Sequence, residues 1–286
     1  LDLHSSASTP FSLTTPLHSE MDATCYQAAL ARIHDYLLAG DCYQVNFARR
    51  FTGRFQGDPF AGWQRLLARH PAPHASFFRR ANGDCVFGVS PERLLRIRDG
   101  MVVSEPIKGS RPRGANAEDD AAIGAALLAS PKDRAENLMI VDLLRNDLGQ
   151  VCVPGSVQAD PLFALHRFSN VQHLISTVRG QLRDEVTPLA ALLACFPGGS
   201  ITGAPKKRAM EIIAELEPVP RGFYCGSQFV LDGAGNLDAN ILIRTFQTEG
   251  ERIYCHGGGG IVADSDPAQE YAESLFKVEQ LMAALG

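Results

Sequence analysis

The sequence predicts an α+β fold in which antiparallel strands form the sheets and helices interrupt the hairpins. Asn82-Gly83 and Asp99-Gly100 each separate two short segments with strand-like residues, and both dipeptides suit the positive backbone angles of tight hairpin turns. Helical segments stand between strand pairs and do not follow every strand. The order of elements therefore indicates antiparallel sheets and argues against a βαβ ladder.

Hydrophobic periodicity and turn residues define the elements of the first half. Apolar residues three and four apart predict a helix over 22–39, which Gly40 ends. Alternating apolar and polar residues predict a strand over 43–51. The remaining elements of this half are a helix over 59–69 and hairpin strands over 75–80, 84–89, 93–98 and 101–105.

The second half begins with two helices, over 116–129 and 131–146. Ser130 is the predicted N-cap of the second helix, and Pro131 suits its first position. Further helices are predicted over 187–195, 204–216 and 267–285, and further strands over 171–181, 222–231, 237–247 and 252–256.

Composition and charge exclude several classes of protein. The 286 residues are 45% hydrophobic and 21% charged, which is ordinary for a globular chain. A net charge of −5 offers no basic field for nucleic acid or for an acidic membrane. The sequence has no run of 18 apolar residues, so we expect no membrane span. Seven dispersed cysteines without a C-x-x-C pair indicate buried thiols and a cytoplasmic protein.

The first residues differ in character from the rest of the chain. Residues 1–19 are polar and rich in turn formers, and they lack the basic and apolar regions of a signal peptide. We interpret residues 1–21 as a linker or the remnant of an N-terminal region, and residues 22–286 as one domain.

Two predicted helices carry acidic residues at a spacing that places them on one face. Asp133 and Glu136 are three residues apart, as are Glu270 and Glu273. If both faces turn inward, four carboxylates need a cation, and magnesium suits such oxygen ligands. The alternative is two solvated faces balanced by neighbouring basic residues such as Lys277.

Two glycine-rich segments are candidate anion sites. GGSITGAPKKR (198–208) and GGGGIV (257–262) bring backbone amides within reach of a ligand, but neither fits a P-loop or a dinucleotide fingerprint. A tight turn is the alternative in each case.

Three single residues have both a structural and a functional interpretation. Arg244, among apolar residues of a predicted strand, indicates either a carboxylate ligand or a structural salt bridge. His173 in strand 171–181 could be a core histidine, and Glu92 after a proline could be a surface acid.

Taken together, the motifs resemble those of the chorismate-utilising enzymes. That family includes anthranilate synthase, aminodeoxychorismate synthase component I, and the isochorismate and salicylate synthases. The resemblance covers about residues 22–286 and implies a catalytic domain of two antiparallel sheets packed with surrounding helices. The motifs that carry it, in chain order, are GDCYQVNFARRF, FGVSPERLL, PIKGSRPRG, KDRAENLMIVDLLRNDLG, VQHLISTVRG, FPGGSITGAPKKRAMEII, FYCGSQ, NILIRTF and GGGGIVADSDPAQEYAES.

The resemblance implies a magnesium site and a chorismate site. Glu136 and Glu273 would bind Mg²⁺ directly, and Asp133 and Glu270 would hold its waters. The family often has glutamate where this chain has Asp133. Magnesium would in turn hold the ring carboxylate of chorismate.

The rest of the chorismate site also follows from the resemblance. Arg244 and Tyr224 would grip the enolpyruvyl carboxylate, helped by backbone amides. Ser200 and His173 would lie near the ring, and Glu92 would protonate the leaving 4-hydroxyl. The amides belong to Gly258, Gly259 and Gly260.

Two positions discriminate among the reactions of the family. Gln44 stands where isochorismate and salicylate synthases have the lysine that activates water, and glutamine cannot take that proton. Lys108, in PIKGS, resembles the covalent lysine of members that aminate C4 of chorismate, whereas anthranilate synthases usually have alanine there. The resemblance therefore favours the aminodeoxychorismate synthase component I branch, which serves 4-aminobenzoate and folate synthesis.

Anthranilate synthase component I is the alternative, and a non-catalytic chorismate-binding subunit is a third. No nucleophile elbow of a glutaminase occurs in the sequence. The family draws ammonia from glutamine, so the resemblance implies a glutamine amidotransferase subunit or domain as partner.

Overall fold

Side-chain caps begin most of the helices, which explains why these segments are helical. The structure is a computed structural model, and it describes residues 9–168 and 171–286. Asp22, Asn116, Ser130 and Thr187 each accept a hydrogen bond from a backbone N–H of the first turn. The helices are α1 (Ala23–Leu38), α2 (Pro59–Arg69), α3 (Ala117–Ala129), α4 (Pro131–Gly149), α5 (Pro188–Cys195), α6 (Lys206–Leu216) and α7 (Pro267–Leu285).

The strands of the described residues pair antiparallel throughout. With the helices, they confirm the predicted α+β class. They are β1 (Ser12–Ser19), β2 (Gln44–Gln56), β3 (His74–Arg79), β4 (Cys85–Ser90), β5 (Arg93–Arg98), β6 (Met101–Ser104), β7 (Ile107–Pro112), β8 (Gln158–Ala159), β9 (Ala164–Arg167), β10 (Val171–Ile175), β11 (Val178–Gln181), β12 (Gly203–Ala204), β13 (Phe229–Leu231), β14 (Leu237–Asn240), β15 (Thr245–Glu249) and β16 (Arg252–Ile261).

The chain divides into two compact units, and each is discontinuous in sequence. Unit 1 comprises the residues up to Pro91 together with Ile201–Gly226 and Ile241–Gly286. Unit 2 comprises Glu92–Ser200 and Ser227–Asn240. The single domain predicted over 22–286 is thus built from two units.

Unit 1 is one seven-stranded sheet with helices on one face. Its strand order is β1-β2-β16-β15-β4-β3. The short strand β12 also pairs with β2 but is not part of this linear order. Odd-numbered residues of β2 face the core: Val45 and Phe47 pack with α1 and α6, while Phe51 and Phe55 pack with α2 and α7. The even-numbered residues of β2, including Gln44, face the opposite side, as the alternation of a strand requires.

Unit 2 contains two smaller sheets. The six-stranded sheet has the order β13-β14-β5-β6-β11-β8, and the three-stranded sheet has the order β7-β10-β9. The Asp99-Gly100 turn joins β5 and β6 with φ of 50° and 73°, as predicted for this dipeptide. Helix α4 packs against β7, β10 and β11, so it touches both sheets.

The structure differs from several expectations about local structure. Residues 12–19, interpreted as part of a linker or of the remnant of an N-terminal region, form strand β1, which pairs with β2. The predicted strand 171–181 is two strands, because β10 and β11 belong to different sheets. Residues 222–226 and 241–244 lie outside strands, and the glycines 257–260 lie within strand β16 and form no turn.

The helices and the cysteines bear on the predictions of no membrane span and of buried thiols. In the part of the chain that the structure describes, no helix combines the length and the apolar character that a membrane span requires. None of the seven cysteines, all of which lie in the described residues, forms a disulfide bond; Cys25 is exposed and the other six are buried. The cytoplasmic location stays a prediction.

Candidate active site

Lys108 lies in a β-bulge at the edge of the three-stranded sheet of unit 2. Strands β7 and β10 pair regularly from Pro112 to Ser110, and their register then shifts before Ile107. Lys108 and Gly109 occupy the bulged stretch, where Gly109 has a φ of 80° that favours glycine. A bulge changes the direction in which its side chains point, so it sets the position of the half-buried Lys108.

His173 is hydrogen-bonded to the motif that contains Lys108. It is directly opposite Ser110 in the register of β10 and β7, and Ser110 Oγ lies 2.7 Å from its Nδ1. The histidine is 5% exposed, and its ring packs against Phe168 with centroids 5.5 Å apart. Unit 2 thus brings Lys108, Ser110 and His173 onto two neighbouring strands.

The first predicted acid pair lies beside the same strand. Asp133 and Glu136 are both half-buried on helix α4. Arg111 of β7 donates to Asp133 Oδ2 at 2.8 Å, and a Cβ at Gly109 would lie 3.0 Å from Asp133 Oδ1. The arginine already balances the charge of Asp133, which the spacing alone did not reveal.

The two remaining predicted residues of unit 2 are buried. Glu92, 7% exposed, stands between β4 and β5, so it is no surface acid. Ser200 is 9% exposed and lies in the short 3-10 helix Gly199–Ile201. The segment that follows pairs with β2 through β12, with Gly203 opposite Val45, so part of the predicted anion loop is sheet.

In unit 1 the glycines of β16 allow other groups to approach its backbone closely. A Cβ at Gly257 would overlap the carbonyl oxygen of Ser274 on α7, and one at Gly258 would overlap Phe47 O on β2. Gly259 faces α7, and Gly260 faces the side chain of Gln44, whose Cδ lies 2.9 Å from where a Cβ would be. The glycine run is therefore a packing requirement as well as a candidate ligand surface.

The second acid pair converges on Gly259. A Cβ there would lie 3.2 Å from Glu270 Oε2 and 3.6 Å from Glu273 Oε1. Glu270 is 8% exposed and accepts from Ser265 Oγ at 2.7 Å, whereas Glu273 is exposed. Lys277 pairs with Glu273 at 2.7 Å and donates to Gly258 O at 2.9 Å.

Gln44 is fully buried, and both of its amide atoms are without a hydrogen-bond partner. A buried amide that makes no hydrogen bond is costly, because it has lost its hydrogen bonds to water. Its environment therefore has capacity for a polar ligand or an ordered water molecule. This observation fits the predicted place of Gln44 in the substrate site.

Tyr224 is held between a cation and an aromatic ring. Arg221 Cζ lies 5.6 Å from the centre of the phenol ring. The imidazole of His256 stacks on the same ring, with the two ring centroids 4.8 Å apart. Arg221 is in turn fixed by Glu217 in a two-point pair of 2.8 and 2.6 Å. Burial raises the pKa of Tyr224 well above its usual value, so the phenol remains a hydrogen-bond donor.

The environment of Arg244 differs from the one predicted. It is exposed and lies between β14 and β15 with a φ of 50°. This is the left-handed region, which a residue other than glycine adopts at a cost of roughly 1–2 kcal/mol. The interpretation of Arg244 as a buried strand residue is wrong, while its predicted role toward a carboxylate stays a prediction.

The four predicted magnesium ligands are divided between the units. Asp133 and Glu136 belong to unit 2, and Glu270 and Glu273 belong to unit 1. Within residues 9–168 and 171–286, no three His, Cys, Asp or Glu side chains are grouped as a metal site. The chemistry of the donors nevertheless fits Mg²⁺, because all four are carboxylates and one pair converges on Gly259.

Comparison with known proteins identifies the family. The chorismate binding enzyme family matches residues 2–283, so the chain belongs to that family. Aminodeoxychorismate synthase component 1 of Klebsiella aerogenes is 47% identical over 275 residues, which are 96% of this chain and 61% of that protein. Anthranilate synthase component 1 of Pseudomonas aeruginosa is 44% identical, over 91% of this chain and 53% of that protein.

A solved structure agrees with the fold. Anthranilate synthase component I from Streptococcus pneumoniae superimposes with a TM-score of 0.86 at 34% identity, covering 95% of this chain and 60% of that chain. The chain thus spans between about half and three fifths of the length of these relatives. The resemblance to the chorismate-utilising enzymes is confirmed.

Two residues of the candidate site were not predicted from sequence. Ser110 is part of the PIKGS motif, and His256 precedes the glycine run. Lys277 was named only as a base that could balance an acidic helix face, and it does pair with Glu273, four residues before it on the same face. The stacking of His256 on Tyr224 joins distant segments and has no local signal.

Proposed function

We propose that the chain is the chorismate-binding part of an aminodeoxychorismate synthase component I. It would convert chorismate and ammonia to 4-amino-4-deoxychorismate. The observation that carries the proposal is Lys108, which lies in a bulge of β7, two residues from the Ser110 that is hydrogen-bonded to His173. A lysine nucleophile beside a fixed imidazole suits a reaction that displaces a hydroxyl group.

The proposed reaction consists of two displacements. The neutral Lys108 amine attacks C2 of chorismate, both ring double bonds shift, and the C4 hydroxyl leaves as water after protonation by Glu92. Ammonia then attacks C4, the double bonds shift back, and the bond between Lys108 and C2 breaks. Lysine is regenerated, so the balance is chorismate plus ammonia to 4-amino-4-deoxychorismate plus water.

A second set of residues would supply the binding groups. Tyr224, a protonated donor held between Arg221 and His256, would bind the enolpyruvyl carboxylate with Arg244 and the amides of β16. Magnesium, when bound, would neutralise the ring carboxylate. Glu136 and Glu273 would hold it directly, with Asp133 and Glu270 acting through water.

Gln44 argues for ammonia and against activated water as the nucleophile. Its buried amide is neutral and cannot act as a general base. The partner that delivers ammonia would be a glutamine amidotransferase subunit or domain. The name component 1 of the relatives supports a partner of this kind.

Anthranilate synthase component I is the second candidate, because relatives with that name are also 44% identical. An enzyme of that type needs no lysine at position 108, so the lysine favours the first candidate. A non-catalytic chorismate-binding subunit would bind chorismate without turnover.

One product assay separates these three functions. The chain is incubated with chorismate, Mg²⁺ and ammonium, and the products are separated and identified by mass spectrometry. We expect 4-amino-4-deoxychorismate. Anthranilate as the main product would support the second candidate, and binding of chorismate without any product would support the third.

A further inference from the structure

We propose that Ser110 is a positioning residue that donates its hydroxyl hydrogen to Nδ1 of His173 and so keeps the proton of the neutral ring on Nε2. The role of this proton in the reaction rests on the proposed function. The hydrogen bond and the resulting tautomer are properties of unit 2 alone.

The pairing of two strands sets this contact. Ser110 and His173 are the last regular pair of β7 and β10 before the bulge that contains Lys108 and Gly109. Directly opposed residues have their side chains on the same face of the sheet. The distance of 2.7 Å between Ser110 Oγ and His173 Nδ1 is ideal for a hydroxyl hydrogen bond.

The imidazole has little freedom to turn away from the serine. His173 is 5% exposed, and Phe168 packs against its ring. Strand β9 pairs with the other edge of β10, where His166 is opposite His173. The ring is therefore confined, and Ser110 meets one of its two nitrogens.

The direction of this hydrogen bond and the position of the ring proton are linked. A neutral imidazole has one donor nitrogen and one acceptor nitrogen. When Ser110 donates to Nδ1, Nδ1 is the acceptor and Nε2–H is the donor. A donor at Nε2 can hydrogen-bond to the departing C4 oxygen of chorismate, which gains negative charge as its bond to carbon breaks.

The bulge links this pair to the proposed nucleophile. Lys108 is two residues before Ser110 on the same strand, so the serine also ties His173 to the strand that carries the lysine. A threonine can replace serine here, because its hydroxyl lies on the same carbon. Alanine cannot, because it leaves Nδ1 without its donor.

The kinetic test compares Ser110→Ala, Ser110→Thr and a control. We expect Ser110→Ala to lower kcat about tenfold, the usual scale for one lost hydrogen bond, with KM changed less than twofold. Ser110→Thr should retain kcat within twofold. Ser110 is exposed, so neither change leaves a cavity. The control is Ser104→Ala, which removes a buried hydroxyl that donates to Leu94 O at 2.7 Å and should leave kcat unchanged.

The tautomer is measured independently of activity. Long-range ¹H–¹⁵N correlation spectra distinguish the two ring nitrogens, and His173→Gln assigns the signal. We expect His173 of the unaltered chain to be neutral with its proton on Nε2, and Ser110→Ala to give a mixture of tautomers. Full kcat in Ser110→Ala, or a proton on Nδ1 in the unaltered chain, would overturn the proposal.

The two proposals can fail separately. If the unaltered chain makes anthranilate, the proposed function is wrong, and the Ser110 variants are compared by that product. If it makes no product at all, the spectra alone decide the position of the proton.

Discussion

The imidazole of His256 is stacked on the phenol ring of Tyr224, with centroids 4.8 Å apart and ring planes 10° apart. Both rings are buried, and Arg221 lies on the phenol as well. Stacking of this kind stabilises an aromatic pair by about 0.5–1.5 kcal/mol beyond its buried area. His256 therefore holds Tyr224 in the orientation in which its hydroxyl would meet a carboxylate.

Replacement of His256 by alanine should weaken the binding of chorismate. We expect KM for chorismate to rise about fivefold, because the tyrosine loses the ring that fixes it, while kcat changes less. His256→Phe retains a flat ring and should keep KM within twofold. Steady-state kinetics of the two variants check this prediction. An equal rise of KM in both would show that stacking is not the cause.

His256 should also make the stability of the protein sensitive to mild acid. Burial, together with Arg221 and Arg50, lowers the pKa of His256 to about 3 from 6.5. The unfolded chain binds this proton below pH 6.5 and the folded chain does not, so unfolding becomes easier as the pH falls from 6.5 toward 3.

The matching measurement is urea unfolding of the unaltered chain and of His256→Phe at pH 7, 6 and 5. Below pH 6.5 the free energy of unfolding of the unaltered chain should fall relative to the variant by up to about 1.4 kcal/mol per pH unit. His18→Gln, at an exposed site in β1, is the control. A difference that stays constant with pH would contradict the prediction.

Local signals account for the parts of the fold that could be predicted. Helix α2 begins at Pro59 and ends at Arg69 as predicted, because Asp58 caps it and the apolar spacing is regular. The split between β10 and β11 was missed, since nothing in the local pattern of residues 171–181 reveals a change of sheet. The need for glycine at Gly257 comes from the approach of α7, which is distant in sequence.

The candidate site shows the same division between local and distant causes. The motifs predicted catalytic roles for Glu92 and His173 through the family resemblance, and both residues are buried. Sequence could not show that Arg111 pairs with Asp133, because 22 residues separate them. The sequence also predicted a buried Arg244. The residue is exposed because the backbone turns there, and no local sequence signal predicts that turn.

Gly259→Ala should weaken the binding of magnesium. The added methyl would lie 3.2 Å from Glu270 Oε2, closer than most real contacts, so the carboxylate has to move. We expect the apparent dissociation constant for Mg²⁺ to rise at least fivefold in calorimetric titrations with chorismate present. Gly149→Ala is the control, because nothing lies within 4 Å of its Cβ. Equal magnesium affinity in both variants would count against a magnesium site at the Glu270 carboxylate beside β16.

Asp120 should make the stability of unit 2 sensitive to acid. Arg113 donates to its two oxygens at 2.6 and 2.9 Å, Gly114 N donates at 3.0 Å, and Arg167 adds a positive charge. These contacts lower the pKa of Asp120 to about 2 from 3.8. The stabilisation is therefore complete above about pH 4 and is lost as the pH falls through 3.8 toward 2.

Asp120→Asn should consequently lower the urea midpoint at pH 7. The difference in midpoint from the unaltered chain should become smaller as the pH approaches 3. The comparison uses unfolding curves of both proteins between pH 3 and 7. Asp142→Asn, in an exposed pair with Arg145, should leave the midpoint nearly unchanged at every pH. A deficit for Asp120→Asn that is the same at all pH values would mean that packing, and not charge, is responsible.

Lys108→Ala should abolish the covalent route. We expect formation of 4-amino-4-deoxychorismate at low ammonium to fall on the order of a hundredfold, the lower end of what a positioned catalytic group contributes. Without ammonia, the unaltered chain should gain the mass of chorismate minus one water, and peptide mapping should locate the addition at Lys108. Lys132→Ala, at an exposed lysine of α4, should behave like the unaltered chain in both experiments. Full activity of Lys108→Ala at low ammonium would show that ammonia reaches C4 without a lysine adduct.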